Sequence, residues 1–491
     1  MRTERLEKDD INKSFERLRW VFNQLKLESS YGKKALSQLK SYKSGQEKEL
    51  AFYFQNLESI ISIFKEKPNL FANFNRLFME LRNISGSVKN LTNTLVLGET
   101  ELFEIKNYSI ILSEILDLAK ENKVLPDRLR KLDIKPVIKL LNPDKIITRS
   151  FYIHESWSEK LQSIREEKKQ IEAKIIAEQD FQKKENLRAK RAEIVCKEKD
   201  EELLVRKKLS EQLKKYEESL EFSINNIGDF ELILAKAELA SSNNCSIPII
   251  YDSDSDKNII IENAIEPEIA ENLKNNHRSF TPVSLELQKG TTLLTGANMG
   301  GKSVSLKTIA LNTELIRFGF CPFAQKLALK LPDFIEVISG DLEDSNSGLS
   351  SFGAEIKALT RVLNKVSAYS GLVIFDELAR STNPYEGSRF VQTLSDRLQT
   401  STSYAIIATH YDGIKTPGAN YYQVTGLKNL NNENKLISDS DLYKLMDYHL
   451  IKISDASIVP REALNIGVLL GLPKDFIESL KKHYDDSICR H

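Results

Sequence analysis

A glycine-rich segment between a strand and a helix constrains the fold of this sequence more than any other feature. The apolar, β-rich run 291–295 leads directly into the octapeptide at 296–303, which reads GANMGGKS and matches the pattern G-x-x-x-x-G-K-[ST]. A helical pattern at 306–318 follows it. A strand, this loop and a helix in that order predict a P-loop within an α/β domain that has a largely parallel sheet.

The residue types in this loop suit the binding of a nucleoside triphosphate. Gly296, Gly300 and Gly301 let backbone N–H groups curl around a phosphate, and the dipole of the following helix adds to the attraction. Lys302 is predicted to reach the β- and γ-phosphates, and the Ser303 hydroxyl to bind Mg²⁺. The predicted cofactors are therefore ATP and Mg²⁺.

A second segment supplies two adjacent carboxylates. The run 372–375 is apolar and reads as a buried strand, and Asp376 and Glu377 follow it directly. Ligands of open parallel sheets bind at the C-terminal ends of the strands. Asp376 fits a contact to Mg²⁺, direct or through water, and Glu377 fits the general base or the group that orients the attacking water.

A third buried strand, at 405–408, ends in Thr409 and His410. A lone histidine at a strand end is often only a polar cap. Because this pair follows the other two motifs in order, we predict that His410 hydrogen-bonds the γ-phosphate and senses its loss.

The composition changes along the chain and suggests four regions. The apolar spacing predicts a helical core domain at 1–150 and a long helical hairpin at 151–240, with a turn near Asn186. Short β-rich runs alternate with helical patterns at 245–440, and the end of the chain, 441–491, reads as a few short helices. The predicted fold class is an α/β P-loop domain preceded by an all-α core domain with long helices.

The predicted hairpin is highly charged, with 17 Lys and Arg against 13 Asp and Glu in 157–216. Its apolar residues form a narrow seam that resembles a coiled coil. We interpret it as a solvated hairpin without a ligand. The alternative is that its basic tip contacts phosphates; the tip contains Lys183, Lys184, Arg188, Lys190 and Arg191.

The overall charge excludes some classes of protein. The 491 residues carry 70 Lys and Arg against 70 Asp and Glu, which excludes a globally basic coat for nucleic acid or membranes. The charged N-terminus predicts no signal peptide, and no apolar run reaches the ~18 residues of a membrane span. Four widely spaced cysteines suggest reduced thiols, so we predict a cytoplasmic protein without membrane contact.

Taken together, these motifs resemble those of the MutS family of ABC-type ATPases. The segment 295–303 is similar to the family's TGPNMGGKS, with Ala297 in place of the proline. The segment 340–355 resembles the family's signature segment, which ends S-[ST]-F-x-x-E. The triplet 409–411, Thr-His-Tyr, matches T-H-[YF].

The resemblance continues through the Walker B and D-loop segment at 376–387, where Ala379 and Ser381 replace the usual glycines. In the family, the signature segment reaches across a dimer, so the resemblance implies that Ser350 contacts the partner's nucleotide near Asn298 or the γ-phosphate. Phe280 lies where the family places an aromatic ring against adenine. Stacking on adenine and packing in the core are equal alternatives for it.

Other segments resemble the family outside the ATPase. The runs 28–36, 149–161 and 232–239 are similar to the start of its core helical domain and to the entry into and return from its lever helices, and 463–473 is similar to a helix-turn-helix that braces the dimer. The core helical domain begins so early that we expect no mismatch-reading domain. We also expect no Smr nuclease domain, and hence a short MutS-like member.

The resemblance implies a homodimeric, Mg²⁺-dependent ATPase in which ATP closes the dimer and moves the lever helices. We expect it to bind duplex or branched DNA in repair or recombination, without reading mismatches. The alternative is a protein client, because some short MutS-like proteins are associated with the reactivation of adenosylcobalamin-dependent aminomutases. The balanced charge fits a protein client at least as well as DNA.

Overall fold

The computed structural model describes residues 2–93, 95–142, 153–296, 300–339, 351–380, 382–427, 443–454 and 463–488. The chain forms two compact units, the first made of 1–24, 40–58 and 240–491, and the second made of 25–39 and 59–239. The four-region division drawn from the sequence stays a prediction.

Helices form the described chain up to residue 242. They are α1 (Arg2–Asn23), α2 (Ser30–Ser37), α3 (Glu47–Glu66), α4 (Leu70–Glu80), α5 (Ser85–Thr92), α6 (Glu99–Glu121), α7 (Lys135–Leu141), α8 (Glu159–Ala177), α9 (Phe181–Leu213) and α10 (Glu217–Ser242). Short 3₁₀ turns lie at Asp127–Leu129, Glu155–Trp157 and Lys214–Tyr216. The helical prediction for this part of the chain is confirmed.

Apolar spacing explains these helices, and α6 shows it clearly. Its residues Leu102, Ile105, Leu112, Ile115 and Ala119 recur at intervals of three, four and seven and are completely buried. Such a stripe buries one helix face against its neighbours, so packing rather than intrinsic propensity stabilises the helix.

The hairpin consists of α8 and α9, but its turn lies earlier than predicted. The turn occupies 178–180, and Asn186 lies inside α9, so the predicted position is wrong. The Asp180 carboxylate accepts a hydrogen bond from the backbone N–H of Lys183 at 2.9 Å and caps the helix there. An N-terminal cap of this kind sets where a helix starts, and the apolar spacing alone did not reveal it.

The second half of the chain is α/β. Its strands are β1 (Ile249–Ile250), β2 (Ile259–Ala264), β3 (Val283–Leu287), β4 (Gly290–Thr295), β5 (Lys326–Leu329), β6 (Ile335–Ser339), β7 (Leu372–Asp376), β8 (Tyr404–Ala408), β9 (Asn420–Leu427) and β10 (Met446–Ile453). Its helices are α11 (Pro267–Asn275), α12 (Lys302–Arg317), α13 (Ser351–Val366), α14 (Pro384–Gln399), α15 (Ala463–Leu469) and α16 (Lys474–Ile488).

The strands form two sheets. The smaller has the order β1-β5-β2-β3, and the larger has the order β10-β9-β4-β8-β7-β6. In the larger sheet every pair is parallel except β9 with β10. β4 and β8 are buried along their whole length, as expected for central strands covered on both faces. The predicted α/β domain with a largely parallel sheet is confirmed.

Two features of this half differ from the sequence prediction. The β-rich runs of the sequence, at 249–251, 285–287, 291–295, 372–375 and 405–408, correspond to β1, β3, β4, β7 and β8, but β2, β5, β6, β9 and β10 were missed. The segment 446–453 is β10, so the prediction of helices alone after 441 is wrong there. In the part of the chain that the structure describes, no helix is long and apolar enough to cross a membrane.

Candidate active site

The three predicted motifs meet at one edge of the larger sheet. β4, β8 and β7 are adjacent and parallel, and Leu294 and Asp376 are both register partners of Ala408. The P-loop, the acidic pair and His410 each begin where one of these strands ends. The topology therefore brings together residues that lie more than a hundred positions apart in the sequence.

Two glycines of the P-loop have backbone conformations that would be strained for a residue with a side chain. Gly296 has φ +138° and Gly301 has φ +83°, both in the region that favours glycine. A Cβ at Gly301 would lie 3.0 Å from Cδ1 of Tyr448, and one at Gly296 would lie 3.0 Å from Cβ of Val424. The loop therefore passes close to β9 and β10; Gly300 is buried, and Asn298 lies outside the described residues.

Lys302 is the first residue of α12 and is 5% exposed. Its Nζ donates to the carbonyl oxygen of Gly296 at 2.9 Å and lies 3.6 Å from Oε1 of Glu377. Burial lowers the pKa of the Lys302 amine, although Glu377 and Asp376 act to raise it. A phosphate placed here would add negative charge beside a cation that is poorly solvated.

Asp376 and Ser303 fit a Mg²⁺ ion. Burial raises the pKa of the Asp376 carboxyl above its usual range, although the nearby Ser303 hydroxyl acts to lower it. Oδ1 of Asp376 is buried and has no hydrogen-bond partner among the described residues. An orphaned carboxylate oxygen beside a hydroxyl suits a hard cation.

A bound Mg²⁺ would need further ligands. No cluster of three or more His, Cys, Asp or Glu that could hold a metal occurs within the described ranges. Mg²⁺ is typically bound by one or two carboxylates together with waters and the phosphates of the substrate. Ser303 and Asp376 therefore fit a Mg²⁺ ion that arrives with a nucleotide.

Glu377 stands between two cations on an unusual backbone. Its Oε1 faces Lys302, and its Oε2 lies 3.4 Å from Nη1 of Arg380. The residue has φ +52°, which is rare for a residue with a side chain. Its side chain is only 19% exposed, so a water held by this carboxylate would be partly shielded from solvent.

His410 follows β8 and is half-buried. Burial lowers its pKa below the usual value, and the neighbouring Lys302 and Arg380 lower it further while Glu377 opposes them. A neutral imidazole can donate one hydrogen bond and accept another. His410 follows β8, which lies between β4 and β7, so it starts from the same end of the sheet as the P-loop and the acidic pair.

Phe280, the predicted adenine contact, lies just before β3 and is partly exposed. The structure adds aromatic and cationic groups that sequence reasoning missed. The Arg278 guanidinium lies 4.2 Å from the centre of the Tyr443 ring, and Tyr448 lies against the P-loop at Gly301. The only sequence signal for Arg278 was its position two residues before Phe280.

Two further residues contact the backbone that follows Asp376. The carboxylate of Glu355 accepts from the N–H of Ala379, and the hydroxyl of Tyr411 donates to the carbonyl of Ala379, both at 2.8 Å. Each lies within a motif found from the sequence, but neither was singled out. Ser350, the predicted contact to the partner, lies outside the described residues.

The family comparison agrees with this geometry. Residues 292–486 match the family model described as MutS domain V. This segment of the chain is therefore similar to the MutS family. The matched segment contains the P-loop lysine, the acidic pair and His410 described above.

Similar proteins carry the name endonuclease MutS2. The protein of Fusobacterium nucleatum is 30% identical over 307 residues, which cover 61% of this chain and 36% of the relative. That of Agathobacter rectalis is 28% identical over 305 residues, 62% of this chain and 36% of the relative. That of Acetivibrio thermocellus is 28% identical over 227 residues, 45% of this chain and 27% of the relative. The chain thus spans about a third of the length of the relatives it matches.

Proposed function

We propose that this chain is a Mg²⁺-dependent ATPase of the MutS type. The observation that carries the proposal is the convergence of Lys302, Asp376, Glu377 and His410 at the ends of three adjacent strands. In the proposed reaction, Lys302 binds the β- and γ-phosphates, and Ser303 and Asp376 hold the cation that neutralises them.

Hydrolysis requires a water aligned with the γ-phosphate. Glu377 is the proposed base because its carboxylate is partly shielded and lies beside Lys302. His410, kept neutral by burial, is the proposed hydrogen-bond partner of the γ-phosphate. Stacking of Phe280 on the base remains part of the proposal.

Steady-state phosphate release with Mg-ATP tests this assignment. We expect Glu377→Gln to bind ATP but to lose turnover by about 10²- to 10⁴-fold, the usual contribution of a general base. Lys302→Ala should weaken ATP binding instead. Glu271→Gln, an exposed substitution of the same kind on α11, is the control and should leave the rate unchanged. Unchanged hydrolysis in Glu377→Gln would refute the assignment of the base.

The proposed assembly is a homodimer with two composite sites, in which Ser350 of one chain completes the site of the other. ATP binding would close the dimer and move the helices of the hairpin, driven by contacts to the γ-phosphate. Light scattering with Mg-ATP should give about twice the 56.0 kDa of one chain. A mass of one chain under those conditions would contradict the dimer.

The proposed client is duplex or branched DNA in repair or recombination, without direct mismatch reading. The MutS family match supports this proposal. Binding to DNA should weaken steeply with salt, because each neutralised phosphate releases counterions. If no complex forms at low ionic strength, DNA is not the client.

One observation favours the second candidate, a protein-remodelling role such as the reactivation of an adenosylcobalamin-dependent aminomutase. In the hairpin, Arg188 pairs with Glu185 at 2.6 Å and Arg191 pairs with Glu172 at 2.7 Å. Two of the five basic residues of the tip are thus paired with carboxylates of the hairpin itself. ATPase stimulation by such an aminomutase, and not by DNA, would support this candidate.

A further inference from the structure

Two buried side chains bond to the backbone of Ala379, one to its N–H and the other to its C=O. Oε2 of Glu355 accepts its N–H, and the Tyr411 hydroxyl donates to its C=O, each at 2.8 Å. Glu355 is 1% exposed and Tyr411 is 7% exposed, so water does not compete freely for either bond. The two side chains that bond to Ala379 are therefore both buried in the surrounding core.

The turn that they hold is strained. Glu377 has φ +52° and Ala379 has φ +62°, so two of the three residues after Asp376 adopt the left-handed region without being glycine. Such conformations persist only where the surrounding structure enforces them, and they cluster at functional sites. The two hydrogen bonds to Ala379 supply that enforcement directly.

The Tyr411 hydroxyl packs closely against helix α14, which leaves it little room to move. A Cβ at Gly387, in the first turn of α14, would lie only 2.2 Å from the Tyr411 hydroxyl oxygen. Burial, with Glu355 and Glu377 nearby, raises the pKa of Tyr411, so the phenol keeps the proton that it donates. Gly387 therefore provides the space that lets Tyr411 reach the turn.

The two side chains come from elements that carry other parts of the site. Glu355 lies on α13, which starts directly after Ser350 in the sequence. Tyr411 follows His410, and the centres of their rings are 4.4 Å apart. The turn thus receives one contact from the last residue of the signature segment and one from the residue next to His410.

We propose that Glu355 and Tyr411 are positioning residues, which hold the strained turn at Ala379 and so aim the Glu377 carboxylate at the attacking water. This inference rests on the proposed ATPase function. Glu377 lies two residues before the held peptide, and its carboxylate is set between Lys302 and Arg380. Because a misplacement of about 1 Å can cost about 10²-fold in rate, a relaxed turn would slow hydrolysis without removing any group that binds phosphate.

The experiment compares Tyr411→Phe, Glu355→Ala and Glu355→Gln in the full chain. Steady-state hydrolysis gives kcat, and a fluorescent ATP analogue gives nucleotide affinity. We expect Tyr411→Phe and Glu355→Ala to lower kcat by about 10- to 100-fold, with affinity changed by less than about threefold. Glu355→Gln should stay near the original rate, because its amide oxygen still accepts the Ala379 N–H.

Tyr404→Phe is the matched control. Tyr404 is a buried tyrosine at the other end of β8, and its hydroxyl donates to the carbonyl of Lys257 at 3.1 Å. Tyr404→Phe removes a similar hydrogen bond at the start of the strand that precedes Tyr411, so it should affect stability without lowering kcat. If Tyr411→Phe merely lowers the melting temperature, as Tyr404→Phe does, and leaves kcat unchanged, the proposal is overturned.

A second readout does not depend on hydrolysis. Hydrogen exchange followed by mass spectrometry should show protection of the Ala379 amide, and Glu355→Ala should speed its exchange. Rapid exchange in the unmodified chain would overturn the positioning role whether or not the chain hydrolyses ATP. Absence of hydrolysis with a protected amide would instead refute the proposed function and leave the hydrogen-bonded turn established.

Discussion

The sheet edge at the candidate site and the α8–α9 hairpin each bury a charged side chain, Asp376 and Arg165, but these two side chains are paired differently. In the hairpin, the guanidinium of Arg165 donates to Glu198 at 3.0 Å, to Glu202 at 2.8 Å and to the carbonyl of Ile153 at 2.6 Å. At the site, Oδ1 of Asp376 is buried without a hydrogen-bond partner among the described residues. The Arg165 guanidinium is thus satisfied by protein groups, whereas the site leaves a carboxylate oxygen without a partner among the described residues.

The pKa directions agree with this contrast. Burial alone would raise the pKa of Glu198, but hydrogen bonds from Lys168 and Arg165 hold it below the usual value. Burial raises the pKa of Asp376, and the nearby Ser303 hydroxyl offsets only part of that rise. The negative charge of Glu198 therefore favours the folded state, while the negative charge of Asp376 opposes it until a cation binds.

The backbone conformation also differs between the hairpin and the site. Of the residues that the structure describes in the hairpin, none has positive φ, while Glu377 and Ala379 both do. At the site, left-handed backbone and a carboxylate oxygen without a described partner occur at neighbouring residues, where a bound ligand would relieve the unfavourable charge. Four substitutions test this contrast, from the largest expected effect to the smallest.

Removal of Arg165 should cause the largest loss of stability. Its side chain is 6% exposed, and Arg165→Met leaves Glu198 without one of its cationic partners and the carbonyl of Ile153 without its donor. We expect a loss of about 3–5 kcal/mol in the free energy of unfolding, measured by urea denaturation. Lys160→Met, which removes an exposed partner of Glu201, is the control and should cost below about 1 kcal/mol. Equal losses in the two variants would contradict a hairpin held by buried charge.

Gly387→Ala should destabilise the site by steric overlap. The new Cβ would lie 2.2 Å from the hydroxyl oxygen of Tyr411 and 3.1 Å from the carbonyl oxygen of Ala379. We expect a loss of about 1–3 kcal/mol in thermal or urea unfolding. In the control Gly86→Ala, the Cβ meets nothing within 4 Å, so the variant should gain about 0.5–1 kcal/mol in helix α5. A neutral Gly387→Ala would mean that Tyr411 is not held against α14.

The sequence predicted the elements whose signals are local. The P-loop, the acidic pair and His410 follow apolar runs, and the strands β4, β7 and β8 were found within one residue at each end. Helix α12 was predicted to start at 306 but begins at Lys302, because the glycine at 301 ends the loop with φ +83°. Motifs and apolar periodicity are enough to predict a strand and its functional residues when both lie in the same short segment.

Other features depend on contacts between distant segments and could not be predicted in this way. Strands β9 and β10 pair with each other, and β9 alternates buried and half-buried residues rather than forming a continuous apolar run. Tyr448, which covers the P-loop, belongs to β10 and carries no motif. The contacts from Glu355 and Tyr411 to Ala379 join positions 24 and 32 residues apart. Local pattern does not encode such pairings.

Asp376→Asn should stabilise the chain without ligand, in contrast to loss of charge in the hairpin. The substitution removes a buried negative charge whose Oδ1 has no hydrogen-bond partner in the part of the chain that the structure describes, so we expect a gain of about 1 kcal/mol in the free energy of unfolding. Stabilisation by Mg-ATP in a thermal shift assay should disappear in the same variant. Asp396→Asn is the control, because this exposed carboxylate accepts from Thr416 at 2.8 Å and from Gln392, and its loss should bring no gain. Lower stability of ligand-free Asp376→Asn would show that the carboxylate is already satisfied.

Ala379→Gly should have the smallest effect, and its sign separates strain from ordinary packing. A left-handed residue with a side chain costs about 1–2 kcal/mol, while glycine adds about 0.5–1 kcal/mol of unfolded-state entropy and loses one buried methyl group. We therefore expect a net change between zero and a gain of about 0.5 kcal/mol in urea unfolding. Ala51→Gly, on the exposed face of α3, lacks the left-handed backbone and should lose about 1 kcal/mol. If both substitutions cost the same, the turn at Ala379 stores no strain, and the contrast between the site and the hairpin reduces to their charges alone.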